Sequence, residues 1–229
     1  MAGREGRAAR IRGAALAAAL TLALAAGIIR GFAGSRALFL RGLERFAPAE
    51  RTGLPAAEYP GMAAHIADYL AGRKDDFQYT LALPGGGAAP CFHDYELAHM
   101  ADCRGLIRLD GFVCLGSAAL ALAAAVLIRR RKDPFSETFR GARFALLGLG
   151  AAAAGLAAWA AADFDGLFVT FHRAAFTNDL WLLDPRTDLL IRLMPESLFT
   201  DLGILGLAAF TLGMGAFLSM LMLLRRRNQ

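Results

Sequence analysis

Two of the four histidines have neighbours that suit acid–base chemistry. His99 stands three residues after Glu96, so in a helix the two side chains share one face. A carboxylate at that spacing can hold one imidazole tautomer and raise the basicity of the ring. His172 has Phe171 before it and Phe176 four residues after it, which gives it an aromatic surround. These two histidines, from distant parts of the chain, are therefore the candidate acid–base pair.

A cluster of cysteine and histidine residues leaves further chemistry open. Cys91, His93, His99 and Cys103 fall within 13 residues, and zinc accepts such ligands. The spacing lacks the usual paired arrangement of zinc-binding cysteines, so the metal signal is weak. The two cysteines could instead form a disulfide in an oxidising compartment, or remain free thiols. We expect His65 and His93 to be surface residues.

Several common catalytic patterns are missing from the sequence. There is no phosphate-binding P-loop, no Gly-x-Ser-x-Gly turn and no His-Glu-x-x-His metal motif. No charged residue or histidine stands inside the long apolar runs, which argues against an ion or proton pathway. Nucleotide chemistry and a nucleotide cofactor are therefore not expected, and any chemistry belongs outside the apolar runs.

The apolar runs determine the class of protein. The chain has 229 residues, of which 56% are hydrophobic and 20% charged, and its mean hydropathy is +0.42. That composition excludes a disordered chain and is unlike an ordinary soluble domain. A helix crosses the hydrocarbon core of a bilayer with about 20 apolar residues. Four runs meet this requirement and are predicted to be transmembrane helices: 13–29, 112–128, 144–162 and 202–224.

Small residues four positions apart mark the third run. Gly148 and Ala152 form one such pair, and Ala151 and Gly155 form another. Small residues at this spacing let helix backbones approach closely in a membrane. We therefore expect these pairs to pack the bundle.

Charge predicts the orientation of the helices. Segments 1–12, 129–143 and 225–229 hold 13 of the 25 Lys and Arg residues, whereas segments 30–111 and 163–201 hold 17 of the 20 acidic residues. Basic residues concentrate in short cytoplasmic segments. Both termini are therefore predicted to be cytoplasmic. The net charge of +5 belongs to the membrane flanks, so it does not indicate a nucleic-acid partner.

The first apolar run admits a second interpretation. Residues 32–35 (Phe-Ala-Gly-Ser) offer small side chains near a possible signal-peptide cleavage site. The run of residues 13–29 is long for the apolar part of a signal peptide, which favours a retained transmembrane helix.

The first predicted outer segment is long enough to hold structure of its own. Apolar spacing predicts helices over 39–46 and 62–70, and partial alternation predicts a strand over 76–83. Residues 84–87 (Pro-Gly-Gly-Gly) predict a loop, and a helix should begin near Asp94. The fold class is thus mainly α: a four-helix transmembrane bundle with a small mixed α/β extracytoplasmic cap.

The second outer segment, 163–201, is unusually apolar for a connection. Phenylalanines recur at helical spacing over 164–176, and Trp181 follows. Asp-Pro at 184–185 predicts a turn, and 189–194 predicts a short helix. Aromatic residues are enriched at membrane–water interfaces, so we expect this segment to lie along the lipid surface.

Three stretches resemble the bacterial lipoprotein intramolecular transacylases, a family of small integral membrane proteins. They are Glu-Leu-Ala-His-Met-Ala-Asp at 96–102, Phe-His-x3-Phe-x-Asn-Asp-x-Trp at 171–181, and Asp-Leu-Leu-Ile-x-Leu-Met-Pro-Glu-x-x-Phe at 188–199. Tyr-Leu-Ala-Gly at 69–72 is also similar. With four spans in matching order, the resemblance covers nearly the whole chain. Cys103 departs from it, because an aliphatic residue is expected there, which puts the helix packing at that position in question.

The resemblance implies an acyl transfer within one lipoprotein molecule. The sn-2 acyl chain of a diacylglyceryl-cysteine would move to the cysteine α-amine and leave an N-acyl lyso-form product. The substrate would be a diacylglyceryl lipoprotein in membrane lipid, and no ATP, metal, nucleotide or nucleic acid would take part. The enzyme would lie in the bacterial cytoplasmic membrane, with its site on the outer leaflet side. A lipid hydrolase and a non-catalytic membrane subunit with a partner-binding cap remain the alternatives.

The resemblance also assigns roles to residues. The two essential histidines of the family correspond to His99 and His172. We expect His172 to be the base and His99, oriented by Glu96, to be the acid or the oxyanion donor. The remaining residues expected to line or brace the site are Asp102, Phe171, Phe176, Asn178, Asp179 and Trp181.

Overall fold

The computed structural model describes residues 2–82 and 86–227, most of which are helical. A single 3₁₀ turn, Ala56–Glu58, precedes the fourth helix. In chain order the elements are α1 (Ala2–Ala33), α2 (Arg36–Phe46), α3 (Ala49–Thr52), α4 (Tyr59–Leu70), β1 (Thr80–Ala82), β2 (Ala88–Pro90), α5 (Asp94–Arg131), α6 (Phe135–Ala162), α7 (Phe164–Ala175), α8 (Leu189–Leu193) and α9 (Glu196–Arg227).

Four helices, α1, α5, α6 and α9, are long and apolar enough to cross a membrane. The four predicted spans thus correspond to four helices that are candidates for membrane spans by length and composition. Each helix continues beyond its apolar run into charged and polar residues. Helix α5 ends at Arg131 and α6 begins at Phe135, so most of the basic segment 129–143 is helical. The first turns of α5, before Asp110, carry several charges and lie outside the apolar run 112–128.

The chain forms two compact units, and the first contains the apolar portions of the four long helices. Within it, α1 and α6 approach closely at Gly13 and Gly141. A Cβ on Gly13 would overlap the carbonyl of Thr138, and one on Gly141 would overlap the carbonyl of Arg10. Larger side chains at these two glycines would therefore separate the helices.

The small-residue pairs of the third run do not form such close helix–helix contacts. A Cβ added to Gly148 or to Gly155 would meet nothing within 4 Å in the part of the chain that the structure describes. The expectation that these pairs pack the bundle is therefore wrong, because the contacting glycine of α6 is Gly141, near the start of the helix. That position is flanked by polar residues, so its packing role was not evident from an apolar run.

The second unit contains residues 29–109 and 163–205 and has its own apolar core. Strands β1 and β2 pair antiparallel, with Thr80 opposite Pro90 and Ala82 opposite Ala88. The strand is shorter than the predicted 76–83, whose last residue lies outside the described residues, as do Pro84 and Gly85 of the predicted loop. The largest fully buried side chains of this unit are Leu43, Leu54, Met62, Ile66, Glu96, Met100, Leu190, Leu193 and Leu198.

His65 lies in this core, so the prediction that it is a surface residue is wrong. Its side chain is 4% exposed, with Nε2 2.7 Å from the carbonyl of Phe77 and Nδ1 3.0 Å from Nζ of Lys74. A carbonyl only accepts and an ammonium only donates, so Nε2 carries the proton and Nδ1 the lone pair. Burial lowers the pKa of His65 and keeps it neutral. His65 thus anchors the segment after α4 that leads to β1.

Candidate active site

Glu96, in the first turn of α5, accepts hydrogen bonds from the N-termini of two helices. Glu96 is fully buried, and its Oε2 accepts a hydrogen bond of 2.8 Å from the backbone N–H of His93, the residue before the helix. Its Oε1 accepts one of 2.8 Å from the N–H of Leu190, in the first turn of α8. Free N–H groups at helix starts need such acceptors. Both oxygens are thus engaged, and the expectation that Glu96 orients the His99 imidazole is wrong; the carboxylate instead fixes the helix that carries His99.

Helix α7 presents His172 in a defined tautomer. The side chain of Asp163 caps this helix by accepting a hydrogen bond of 2.9 Å from the N–H of Gly166. Nδ1 of His172 lies 2.8 Å from the carbonyl of Phe168, one turn earlier. Since a carbonyl only accepts, Nδ1 carries the proton and Nε2 keeps its lone pair. Burial lowers the pKa of His172, partly opposed by this bond, so Nε2 is available as a base near neutral pH.

The two candidate histidines meet in the second unit. Their ring centroids are 6.1 Å apart, and each residue is 7% exposed. Phe176 packs against both rings, at 5.1 Å from His99 and 5.5 Å from His172. Trp181 lies 5.1 Å from His172, and Phe171 contacts the same ring edge-on at 5.3 Å while it remains 53% exposed. An aromatic wall therefore surrounds two imidazoles from different helices.

His99 is held in its neutral form. Burial, and secondarily the neighbouring His172, lowers the pKa of His99 to about 4, although the charge of Asp102 opposes the shift. Its Nε2 lies 3.6 Å from Sγ of Cys103, one turn later. Its Nδ1 is buried and has no hydrogen-bond partner among the described residues. A buried polar atom without a partner is uncommon, and at a site it marks a position where a substrate atom can bind.

A polar contact joins α5 to the segment after α7. Nδ2 of Asn178 donates a hydrogen bond of 2.9 Å to Asp102, and Oδ1 of Asn178 accepts one of 3.2 Å from the N–H of Leu180. Asp179 is exposed, and its carbonyl accepts from the N–H of Leu182. These bonds shape the turn that leads to Trp181. Asp102 therefore contacts this turn through Asn178.

The cysteine alternatives are resolved by the same geometry. Cys91 and Cys103 are both free thiols, so the disulfide is not formed. Within residues 2–82 and 86–227, no three His, Cys, Asp or Glu side chains lie close enough together to hold a metal ion. The sequence did not reveal the contact of Cys103 with His99, although the spacing of four residues within a predicted helix was a signal for it. The carbonyl of Phe168 was also missed, since a main-chain partner leaves no mark in residue type.

A surface cavity of the second unit lies elsewhere. It has a volume of about 530 Å³, and neither candidate histidine lines it. The imidazoles are instead covered by aromatic side chains. The residues around this cavity are Arg45, Phe46, Glu196, Ser197, Thr200, Asp201 and Ile204.

The sequence from residue 15 to residue 199, which includes both histidines, matches the family of the lipoprotein intramolecular transacylase Lit. The chain belongs to the Lit family. The match covers most of the chain and confirms the resemblance drawn from the three motifs. Membership in this family supports a membrane-integral transacylase that acts on lipoproteins.

Solved Lit structures share this fold. The Lit transacylase from Bacillus cereus superimposes with a TM-score of 0.79 at 17% identity, over 97% of this chain and 98% of that one. Two variants of the same Bacillus cereus protein match with TM-scores of 0.73 and 0.72, at 18% and 16% identity, over 96% of their chains and 98% and 97% of this one. One variant has a histidine replaced by arginine and the other by alanine. A search of curated proteins found no match.

Proposed function

We propose that this Lit-family chain moves the sn-2 acyl chain of a diacylglyceryl-cysteine lipoprotein to the α-amine of the same cysteine. The observation that carries the proposal is the juxtaposition of His99 and His172, two buried neutral imidazoles with ring centroids 6.1 Å apart. One has an available lone pair and the other an unpartnered ring nitrogen. Acyl transfer to an amine requires a base and an oxyanion donor, and the pair supplies both.

His172 is the base in this mechanism. An α-ammonium has a pKa of about 7.7–8.0, so a neutral imidazole can accept its proton. The ammonium loses one proton to solvent before the attack, and Nε2 of His172 takes a second proton from the nitrogen as it bonds to the ester carbonyl carbon. When the tetrahedral intermediate collapses, the bond to the glyceryl oxygen breaks, and His172 returns the proton to that oxygen. The products are an amide and a free sn-2 hydroxyl, and no other reactant is needed.

His99 is the oxyanion donor. With its pKa lowered to about 4, His99 is neutral at pH 7, so it is poorly suited to be the acid. A neutral imidazole still has one N–H group to donate. Such a donor, already fixed in a water-poor site, stabilises the charge that develops on the carbonyl oxygen. Of the two roles expected for His99, the donor is the one that its environment favours.

The aromatic wall supports transfer over hydrolysis. Phe176, Trp181 and Phe168 pack on the imidazoles and leave each histidine 7% exposed. An apolar lining of this kind excludes bulk water and so disfavours hydrolysis. Nucleophile and ester belong to one substrate molecule, so correct positioning supplies much of the rate, with effective molarities of about 10⁵–10⁸ M in favourable systems.

Charge supports the placement in the membrane. The basic residues that flank the apolar runs favour cytoplasmic termini, which would leave 30–111 and 163–201 on the outer leaflet side. A lipoprotein acylated on the outer leaflet could then present its ester at the aromatic wall. Labelling of single cysteines introduced at exposed positions of each segment, with a membrane-impermeant reagent on intact cells, tests this orientation.

Mass spectrometry of a lipoprotein N-terminus tests the reaction. Cells that express the wild-type chain should yield an N-acyl lyso-form product, and cells with His99→Ala or His172→Ala should not. His93→Ala is the matched control, since His93 is exposed and contacts neither ring. Released fatty acid without N-acyl product would identify a hydrolase. An unchanged acyl pattern with a copurifying protein would instead identify a non-catalytic subunit.

A further inference from the structure

The nearest polar neighbour of the His99 ring on its own helix is a thiol. Cys103 lies one turn after His99 on α5, and its Sγ is 3.6 Å from Nε2, within hydrogen-bond distance for sulfur. The main chain between them is helical throughout, so the contact is fixed by the i,i+4 geometry rather than by a loop. It occupies one of the two ring nitrogens and leaves the other, the buried Nδ1, without a partner.

The sulfur is a thiol and not a thiolate. Burial, and secondarily the charge of Asp102, raises the pKa of Cys103 to about 12. The group therefore carries a proton at neutral pH. It is a poor nucleophile in this state, because the thiolate is the reactive form. Its remaining property is that of a hydrogen-bond donor, and the imidazole nitrogen beside it is a stronger acceptor than sulfur.

We propose that Cys103 is a positioning residue whose S–H donates to Nε2 of His99 and thereby keeps the imidazole proton on Nδ1. This inference rests on the proposed transacylase function, in which His99 is the oxyanion donor. Because Nε2 faces the thiol, only Nδ1 can reach a substrate oxygen. A donor role at Nδ1 requires a lone pair on Nε2, and a thiol donor stabilises that lone pair.

The proposal gives the two histidines one tautomer and opposite roles. Both carry their proton on Nδ1. In His172 that proton is donated to the carbonyl of Phe168, which leaves Nε2 free as the base. In His99 the lone pair on Nε2 is used by Cys103, which leaves the Nδ1 proton for the oxyanion. The different partners of two chemically identical rings thus separate the base from the donor.

Two substitutions separate donation from space filling. Cys103→Val has about the shape of cysteine and no donor, whereas Cys103→Ser keeps a hydroxyl donor. We expect kcat to fall about tenfold or more in the valine variant with KM little changed, because a misplaced oxyanion donor affects the transition state more than binding. The serine variant should recover most of that loss. Equal kcat values in wild type and Cys103→Val would overturn the proposal.

Nitrogen NMR of the resting protein gives an independent measurement. In wild type labelled with ¹⁵N-histidine and assigned by His99→Ala, the His99 signals should show the Nδ1–H tautomer, with a change toward Nε2–H in Cys103→Val. A wild-type ring protonated on Nε2 would refute the proposal even if the valine variant failed to fold. The NMR measurement of the tautomer needs no substrate. Absence of N-acyl product from wild type would therefore reject the proposed function without changing the tautomer found for His99.

Discussion

The imidazole rings of His99 and His172 lie 6.1 Å apart, centroid to centroid, although they belong to different helices, α5 and α7. At that distance two positive charges in a buried site would repel strongly. Burial lowers the pKa of both rings, and the charge of His172 adds to the shift of the His99 pKa, so each ring favours its neutral form. The relationship fixes the protonation state that acyl transfer to an amine requires.

The first prediction concerns the pH dependence of kcat. The active form has both rings neutral, and the pKa of each is lowered below 6.5, that of His99 to about 4. A lowered pKa extends the neutral form to more acidic pH, so the two rings should contribute an acid limb only below pH 6.5, separate from that of the substrate α-ammonium, whose pKa is about 7.7–8.0. The measurement is kcat for N-acyl product formation, with saturating lipoprotein substrate, as a function of pH. A second acid ionisation at or above 6.5, in addition to that of the α-ammonium, would contradict the assignment of buried neutral rings.

The second prediction concerns Glu96. Replacement by Ala removes both acceptors, so that the N–H of Leu190 is left buried and the N–H of His93 half-buried, each without a partner. An unsatisfied buried donor costs about 1–3 kcal/mol, so the variant should lose about 2–5 kcal/mol of stability and much of its activity. Glu96→Gln keeps one acceptor oxygen and should be intermediate. Thermal unfolding in detergent measures the loss, with the exposed Glu44→Ala of α2 as the control.

If Glu96 instead acted by holding the His99 tautomer, the pattern would differ. Glu96→Gln would then keep wild-type stability and lose kcat, since an amide retains the shape of the side chain without its charge. That outcome would contradict the capping role.

The third prediction concerns His65 and stability against pH. The pKa of His65 is lowered in the folded protein, so between the folded pKa and about 6.5 the unfolded state binds more protons. Stability contributed by neutral His65 is therefore present above about pH 6.5 and is lost as the pH falls. His65→Gln, which can still donate to the carbonyl of Phe77, should have a lower melting temperature at pH 7 and a weaker decrease toward pH 5. The exposed His93→Ala provides the comparison.

An unchanged pH dependence of melting in His65→Gln would show that His65 does not carry this linkage. His99 and His172 also have lowered pKa values, so part of the decrease should remain in the variant.

The number of apolar helices and the family were predictable, because both follow from the residue types along the chain. Four apolar runs predicted four spanning helices, and the motifs around His99 and His172 predicted the family. Those features depend on residue type alone. The limits of the strand near Thr80 were not predictable, since a short edge pairing depends on its partner and not on alternation.

Side-chain partners were the main source of error. The spacing places Glu96 on the same helix face as His99. The carboxylate nevertheless bonds to free N–H groups at the starts of two helices, because those groups need an acceptor. His65, which was expected at the surface, is instead packed against Phe77 and Tyr79 in the core. Its buried Nε2 is satisfied by the carbonyl of Phe77, and main-chain partners are the same for every residue type.

The last prediction concerns the bond of 2.9 Å between Asn178 and Asp102. It is exposed, so its net contribution to stability should be about 0.5–1.5 kcal/mol or less. Its effect on activity should be larger, because it fixes the turn before Trp181, whose ring packs on His172 at 5.1 Å. Asn178→Ala and Asp102→Ala should each lower kcat, and the double variant should be no worse than the poorer single one. Additive losses would mean that the residues act independently, with Asp102 acting on His99 through its charge.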